Sequence, residues 1–261
     1  MSGSARADRD GGTAVDPLDA LRADPAAAAV LTDFDGTLSE LVDDPAAAAA
    51  APGAVDALVD LAGRYALVGV VSGRPVAFLR HRLDGRLWLS GLYGLEELDG
   101  GREGEHAVGR TWRPVVEAAT ARATGRFGPL VEGKGLSLTL HHRTRPDLAS
   151  AVEAWARDEA AASGLLLRAA KASVELHPPV ELDKGTAIED AVERRRLRTV
   201  LFMGDDLGDL TAFDALDRLA GRGVTGNRVA ATTADTPDEL VVRADLVVDG
   251  PAGAVAHLRS L

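Results

Sequence analysis

The stretch VLTDFDGTLSE, residues 30–40, runs an apolar pair straight into two aspartates, Asp33 and Asp35, with only Phe34 between them. Gly36 and Thr37 follow at once. Together with Ala28 and Ala29, the apolar part reads as a short buried strand. A buried strand that ends in two like charges needs something to neutralise them.

Outward from this stretch the same texture recurs. YALVGVVSGRP (residues 65–75) is a second continuous apolar run, and it ends in Ser72-Gly73-Arg74. Between the two, Pro52 stands at a helix start, and Val55, Leu58, Val59 and Ala62 share one helical face. LWLSGLYGLEEL (residues 87–98) reads as a third, shorter strand, and TVLFMGDD (residues 199–206) as another buried one. ADLVVDG and PAGAVAHLRSL supply a last strand and a closing helix. Near-continuous apolar strands alternating with helices predict a doubly wound, parallel α/β sheet covered on both faces.

The texture changes near Gly100. LDGGREGEH reads as a Gly- and charge-rich connection and a domain boundary. Beyond it come a helix over 111–126, the period-two strand LSLTLHH, an amphipathic helix over 147–162 and a hairpin in LLLRAAKASVELHP. The expected organisation is a disordered lead-in at residues 1–15, a core of 16–103 plus 179–261, and an inserted α+β unit at 104–178.

Composition narrows the function. Of 261 residues, 46% are hydrophobic and 26% charged, and the formal charge of −11 argues against nonspecific nucleic-acid or anionic-membrane binding. Cysteine is absent, which removes disulfides, thiolate metal sites and cysteine nucleophiles. No apolar run approaches the roughly 18 residues of a membrane helix, and MSGSARADRDGGTAVD has no signal-peptide core. A soluble cytoplasmic protein follows, with a monomer as the simplest expectation.

In a parallel α/β sheet, ligands bind beyond the carboxyl ends of the strands. Four segments bring chemistry there: Asp33-Phe34-Asp35, Ser72-Gly73-Arg74, Asp183-Lys184-Gly185, and Gly204-Asp205-Asp206 with Asp209. Three meeting carboxylate clusters call for a cation, and hard oxygen donors favour Mg2+. Asp33 is then a candidate nucleophile toward phosphorus. Asp35, two residues on, is a candidate acid/base. Thr37, Ser72 and Lys184 are placed to hold phosphoryl oxygens, and Arg74 is a candidate substrate contact.

The order DFDGT, SGR, DKG, GDDLGD resembles the haloacid-dehalogenase phosphatase superfamily. That resemblance implies a nucleophilic Asp33, an acid/base Asp35, phosphate-holding Ser72 and Lys184, and a metal held by Asp33, the Asp35 backbone carbonyl and Asp205. Either Asp206 or Asp209 would support the metal. The middle α+β unit resembles the family's inserted cap. VEGKGLSLTLHHR, VELHPPVELDKGTAI and GDDLGDLTAFDAL are similar to the trehalose-6-phosphate phosphatase branch, from about residue 26 onward. The branch implies sugar-phosphate contacts at Glu132, Lys134 and Ser137, and at Glu96 after GLYGL. Departures from its pattern are Tyr93 for a histidine, His177 for an arginine, and Gly208 and Leu210 for Thr and Glu.

Plainer readings exist for each piece. Asp-Gly is an ordinary turn, Ser72 could only cap a helix, and GDDLGD could be an acidic helix cap. Glu132 and Lys134 could be a surface ion pair, and Arg194 to Arg196 a solvated helix end. His141 and His142 are neighbours on a strand and point to opposite faces, which speaks against a two-histidine metal site. The rival functions are the same chemistry on sucrose phosphate or a glycosyl-phosphoglycerate, a phospho-accepting signalling module, and a silent sugar-binding regulator. Signalling modules are shorter and lack the second aspartate two residues after the acceptor.

Overall fold

The computed structural model describes residues 17–42, 44–170 and 172–261, so the lead-in expected over 1–15 lies outside the described residues. In chain order the strands are β1 (Ala28–Thr32), β2 (Leu67–Val71), β3 (Trp88–Gly91), β4 (Glu96–Asp99), β5 (Arg102–Glu105), β6 (Val131–Gly133), β7 (Leu138–His141), β8 (Leu166–Ala170), β9 (Ser173–His177), β10 (Thr199–Gly204), β11 (Thr225–Thr232) and β12 (Leu246–Asp249). The helices are α1 (Pro17–Ala23), α2 (Ala54–Ala62), α3 (Val76–Arg80), α4 (Ala107–Phe127), α5 (Ala149–Ser163), α6 (Lys184–Arg195), α7 (Leu210–Ala220), α8 (Asp238–Arg243) and α9 (Gly250–Ser260).

Eight strands form one sheet in the order β12-β11-β10-β1-β2-β3-β4-β5, parallel from β12 to β3. Alternation along its strands builds two cores. Val30, Val70, Leu201 and Met203 face α2 and α9, whereas Leu31, Val71, Val200 and Phe202 face α6 and α7. Each such fully buried side chain contributes about 1.5–3 kcal/mol. The chain moves from β1 out to β5 and returns to the other side of β1 as β10, so the sheet's switch point falls between β1 and β10.

Three elements differ from the sequence reading. The run 87–98 is two strands, because Leu92–Gly94 turns the chain and β4 returns antiparallel to β3. LDGGREGEH is a hairpin, not a bare connection: Gly100 and Gly101 have φ of 55° and 78°, the left-handed pair a two-residue β-turn requires. β11 escaped the reading because Asn227 and Arg228 interrupt its apolar pattern. Asn227 is nonetheless buried, and the guanidinium of Arg228 meets Asp245 and Asp217.

Residues 131–177 add a second, four-stranded sheet in the order β6-β7-β9-β8, antiparallel throughout. Leu138, Leu140, Val174 and Leu176 point to one face and pack with Val116, Ala119, Val152 and Ala156 of α4 and α5. A separate small cluster, Leu92, Leu95 and Leu136 with Val180 and Leu182, joins this unit to the large sheet. Among the described residues, no helix is long and apolar enough to cross a membrane.

Candidate active site

β1 and β10 deliver their carboxylates side by side. Asp33 follows β1, and its backbone N–H donates to Met203 O at 2.8 Å, extending the ladder one residue past the strand. Asp205 follows β10. Gly36 makes the approach possible: its φ is 79°, and a Cβ there would lie 2.0 Å from Asp205 Oδ2. Thr37 then donates its hydroxyl to Asp205 Oδ1 at 2.8 Å.

Lys184 is the first residue of α6, and the helix cap aims it. Asp183 accepts from Thr186 N–H at 2.7 Å, and Thr186 Oγ1 accepts from Asp183 N–H at 2.9 Å. The Lys184 ammonium, buried, lies 2.9 Å from Asp33 Oδ1 and 2.7 Å from Asp209 Oδ1. The other oxygen of Asp209 accepts the backbone N–H groups of Asp205 (2.8 Å) and Asp206 (3.1 Å). Asp209 is thus fully engaged in holding the lysine and the 205–206 loop.

One lysine does not balance these acids. Burial lifts the Asp33 carboxyl well above its usual range, Lys184 opposing and Asp209 reinforcing it. Burial, then the charge of Asp209, pushes Asp205 up to about 7. Burial alone would lower Lys184, but Asp209 and Asp33 outweigh it and hold it charged. The site is short of positive charge.

That shortage is the fit test for a metal. Asp33, Asp205 and Asp209 can each place an oxygen within 4.8 Å of the others. Asp33 Oδ2 and Asp205 Oδ2 accept no hydrogen bond among the described residues. All donors are hard oxygens, which suits Mg2+. Asp35 and Asp206, also named from sequence as metal residues, stand differently. Asp206 is exposed, and its Oδ1 accepts from Gly208 N–H at 2.8 Å. Asp35 turns its side chain to Arg74, whose Nε and Nη2 donate to its two oxygens. The Arg74 guanidinium also lies 4.4 Å from the centre of the Phe78 ring.

Asp33, Asp35, Ser72, Arg74, Lys184, Asp205 and Asp206 line one cavity of about 370 Å³. Its roof is the second sheet. There, register aligns Glu132, Thr139, Glu175 and Arg168 in one row across all four strands. Glu132, Thr139 and Glu175 line the cavity with Lys134, His141 and Ser173. Glu132 meets His141 at 2.9 Å, a contact that, with Lys134, lowers its carboxyl below the usual range. Lys134 lies 3.6 Å from Glu175 rather than pairing on the surface with Glu132. Thr139 Oγ1 is buried without a hydrogen-bond partner among the described residues.

Two expected sugar contacts sit elsewhere. Ser137 is buried behind the cavity and donates to Glu175 Oε1 at 2.8 Å, so it positions that acid. Glu96 lies outside the cavity lining, and its Oε2 accepts from Val76 N–H at 2.8 Å, capping α3. Arg194 and Arg195, read as a solvated helix end, instead tie α6 to Glu97 and Asp99 beside β3. Sequence reasoning missed Thr139, Ser173 and Glu175. Their signal was the period-two pattern of LSLTLHH and SVELH, which leaves each of them on the face opposite the leucines.

The architecture is that of the haloacid-dehalogenase hydrolases. A solved haloacid dehalogenase-like hydrolase from Bacteroides thetaiotaomicron matches it with a TM-score of 0.61 over 89% of this chain and 98% of that one, at 14% identity. A family model described as trehalose-phosphatase matches residues 31–241, and the chain belongs to that family. A solved trehalose-6-phosphate phosphatase related protein shares the fold with a TM-score of 0.71 and 21% identity, over 89% of this chain and 96% of that one. The trehalose-phosphate phosphatase of Mycobacterium ulcerans is 34% identical over 72% of this chain and 51% of its own length. An uncharacterized glycosyl hydrolase of Mycobacterium tuberculosis is 36% identical over 78% of this chain and 17% of its own length. The chain therefore spans about half of the first of these relatives and a smaller part of the second.

Proposed function

We propose that the protein is a Mg2+-dependent phosphatase that hydrolyses trehalose 6-phosphate to trehalose and phosphate through a phosphoryl group carried on Asp33. The observation that carries this reading is the placement of Asp33. It stands at the switch point, 2.9 Å from a charged Lys184, at the floor of a cavity roofed by a row of polar side chains. Membership in the trehalose-phosphatase family supports the substrate. Sugar phosphates are charged and do not cross membranes, which supports a cytoplasmic enzyme.

Asp33 Oδ attacks phosphorus while the bond from phosphorus to the sugar oxygen breaks. Asp35, with one oxygen kept on Arg74 and the other freed to carry a proton, gives that proton to the leaving oxygen. Water then attacks the phosphoryl-Asp33, its proton passing to Asp35, and phosphate and the free carboxylate result. Lys184 and Ser72 hold phosphoryl oxygens throughout. Asp33 and Asp205 would hold Mg2+, with Asp209 behind them fixing the loop and the lysine. The ion supplies charge that neutralises the crowded acids and the incoming phosphate. Residues 107–177 serve as a cap that excludes bulk water and selects the sugar.

A second reading keeps this chemistry and changes the sugar, to sucrose phosphate or a glycosyl-phosphoglycerate. It is favoured by Glu96, the acid expected at the sugar, being committed to α3 instead. Phosphate release from a panel of these three esters, with Mg2+ and after chelation, separates the readings. Trehalose 6-phosphate is expected to give the highest kcat/KM, and chelation to abolish turnover. A poor rank for it ends the first reading, and full activity in chelator ends the metal dependence.

A further inference from the structure

The segment joining β3 to β4 carries an unusual backbone. Leu92, Tyr93 and Gly94 have φ of 48°, 59° and 97°, three consecutive residues in the left-handed region. Two of them carry side chains, at about 1–2 kcal/mol each. The surroundings show what holds this strain in place. Leu92 N–H donates to Arg74 O at 3.0 Å and Tyr93 N–H to Ser72 O at 3.2 Å, strapping the turn to the Ser72–Arg74 loop.

The turn sends consecutive side chains in different directions. Leu92 is buried with Leu95 against Leu136 of the cap, in the cluster that joins the two units. Tyr93 lines the catalytic cavity with Asp33, Ser72, Lys184 and Glu175. Its ring carries a guanidinium of the cap: Arg168 lies 4.6 Å from the ring centre. Its hydroxyl lies over Gly73, where a Cβ would come within 2.6 Å of it, so the tyrosine occupies the space that a side chain at 73 would need. That hydroxyl has no hydrogen-bond partner among the described residues.

We infer that Tyr93 is a specificity-determining residue whose hydroxyl donates a hydrogen bond to a sugar oxygen next to the phosphoester, with its ring clamped from the cap by Arg168. The position fits that role, since it stands between the Ser72–Gly73 loop at the phosphate end and Glu175 at the sugar end. Burial, followed by the charge of Glu175, raises the phenol's pKa, so it remains a donor across the working range of pH. Because Leu92 and Tyr93 share one strained turn, seating the cap on Leu92 and presenting the hydroxyl to the sugar are one event.

The inference rests on the sugar-phosphate reading above, and the test separates the two. Tyr93→Phe keeps the ring and its contact with Arg168 and removes only the hydroxyl. The readout is kcat/KM on trehalose 6-phosphate divided by kcat/KM on p-nitrophenyl phosphate, which has no sugar hydroxyl. That ratio is expected to fall about tenfold, chiefly through KM for the sugar ester. A ratio within twofold of wild type overturns the inference alone. Equal losses on both substrates mark a structural role and overturn it too. A wild-type protein that cleaves p-nitrophenyl phosphate and ignores every sugar phosphate overturns the substrate reading and this inference together.

Discussion

One guanidinium holds both oxygens of Asp35: Arg74 Nε donates to Oδ2 at 2.7 Å and Nη2 to Oδ1 at 2.8 Å. Arg74 is itself braced on the face of Phe78. A two-point clamp of this kind fixes the plane of the carboxyl, and an acid/base that must meet a leaving oxygen depends on that plane. Lysine offers a point charge in place of a fork. Arg74→Lys is expected to lower kcat about 10- to 100-fold with a smaller change in KM, measured by steady-state phosphate release. An unchanged kcat would mean that the clamp does not orient the acid.

Lys184 is the counter-charge for two buried acids, Asp33 and Asp209. Removing one partner of a buried charge cluster leaves the others uncompensated, at a cost of about 3–5 kcal/mol. Lys184→Met is therefore expected to unfold at markedly lower urea and to lose activity at least 100-fold. Without the lysine the acids hold protons more tightly in the folded state, so the deficit should be larger at pH 8 than at pH 5. Equal deficits at both values would contradict the ion cluster.

Asp205 gives the metal-free protein a pH signature. Its folded pKa is about 7 against an ordinary value of 3.8, so between those values the folded state binds the extra proton. Stability therefore falls as pH rises from about 4 to about 7 and stays at the lower level above that. Asp205→Asn removes this dependence while keeping an acceptor for Thr37. In chelator at pH 8 its thermal midpoint should exceed wild type by about 2–4 °C for each kcal/mol relieved. Mg2+ should raise the midpoint of wild type, and not of the variant, by binding the folded state.

Glu96 is a helix cap in this structure, accepting the first N–H of α3 from Val76. Glu96→Ala is expected to cost about 1 kcal/mol in urea unfolding. Turnover of the sugar ester should stay within about threefold. A tenfold loss of kcat/KM at undiminished stability would return Glu96 to the substrate.

Much of the core was legible along the chain. β1, β2 and β10 are continuous apolar runs that end in ionisable residues, and each end proves to line the cavity. Asp33, Asp35, Ser72 and Asp205 stand out for that reason, since a buried strand gives few other excuses for such an ending. Asp183 and Thr186 were legible only as neighbours of the lysine, and their reciprocal cap is what aims it. β11 was hidden because Asn227 and Arg228 break its apolar pattern, and Arg228 meets Asp217 and Asp245 only once other segments arrive.

The sequence by itself determined that the four charged segments after β1, β2 and β10 and at the start of α6 meet at one sheet edge, because strand burial and chain order suffice to bring them there. Only the tertiary structure decided what each side chain holds. Arg74 went to Asp35, Asp209 to the lysine, Ser137 to Glu175 and Glu96 to a helix. The roof row of Glu132, Thr139, Glu175 and Arg168 exists only through strand register, and Tyr93 meets Arg168 only because a strained turn points it there. Periodicity tells which face a residue takes; which partner waits on that face is set by long-range packing, and no local pattern encodes it.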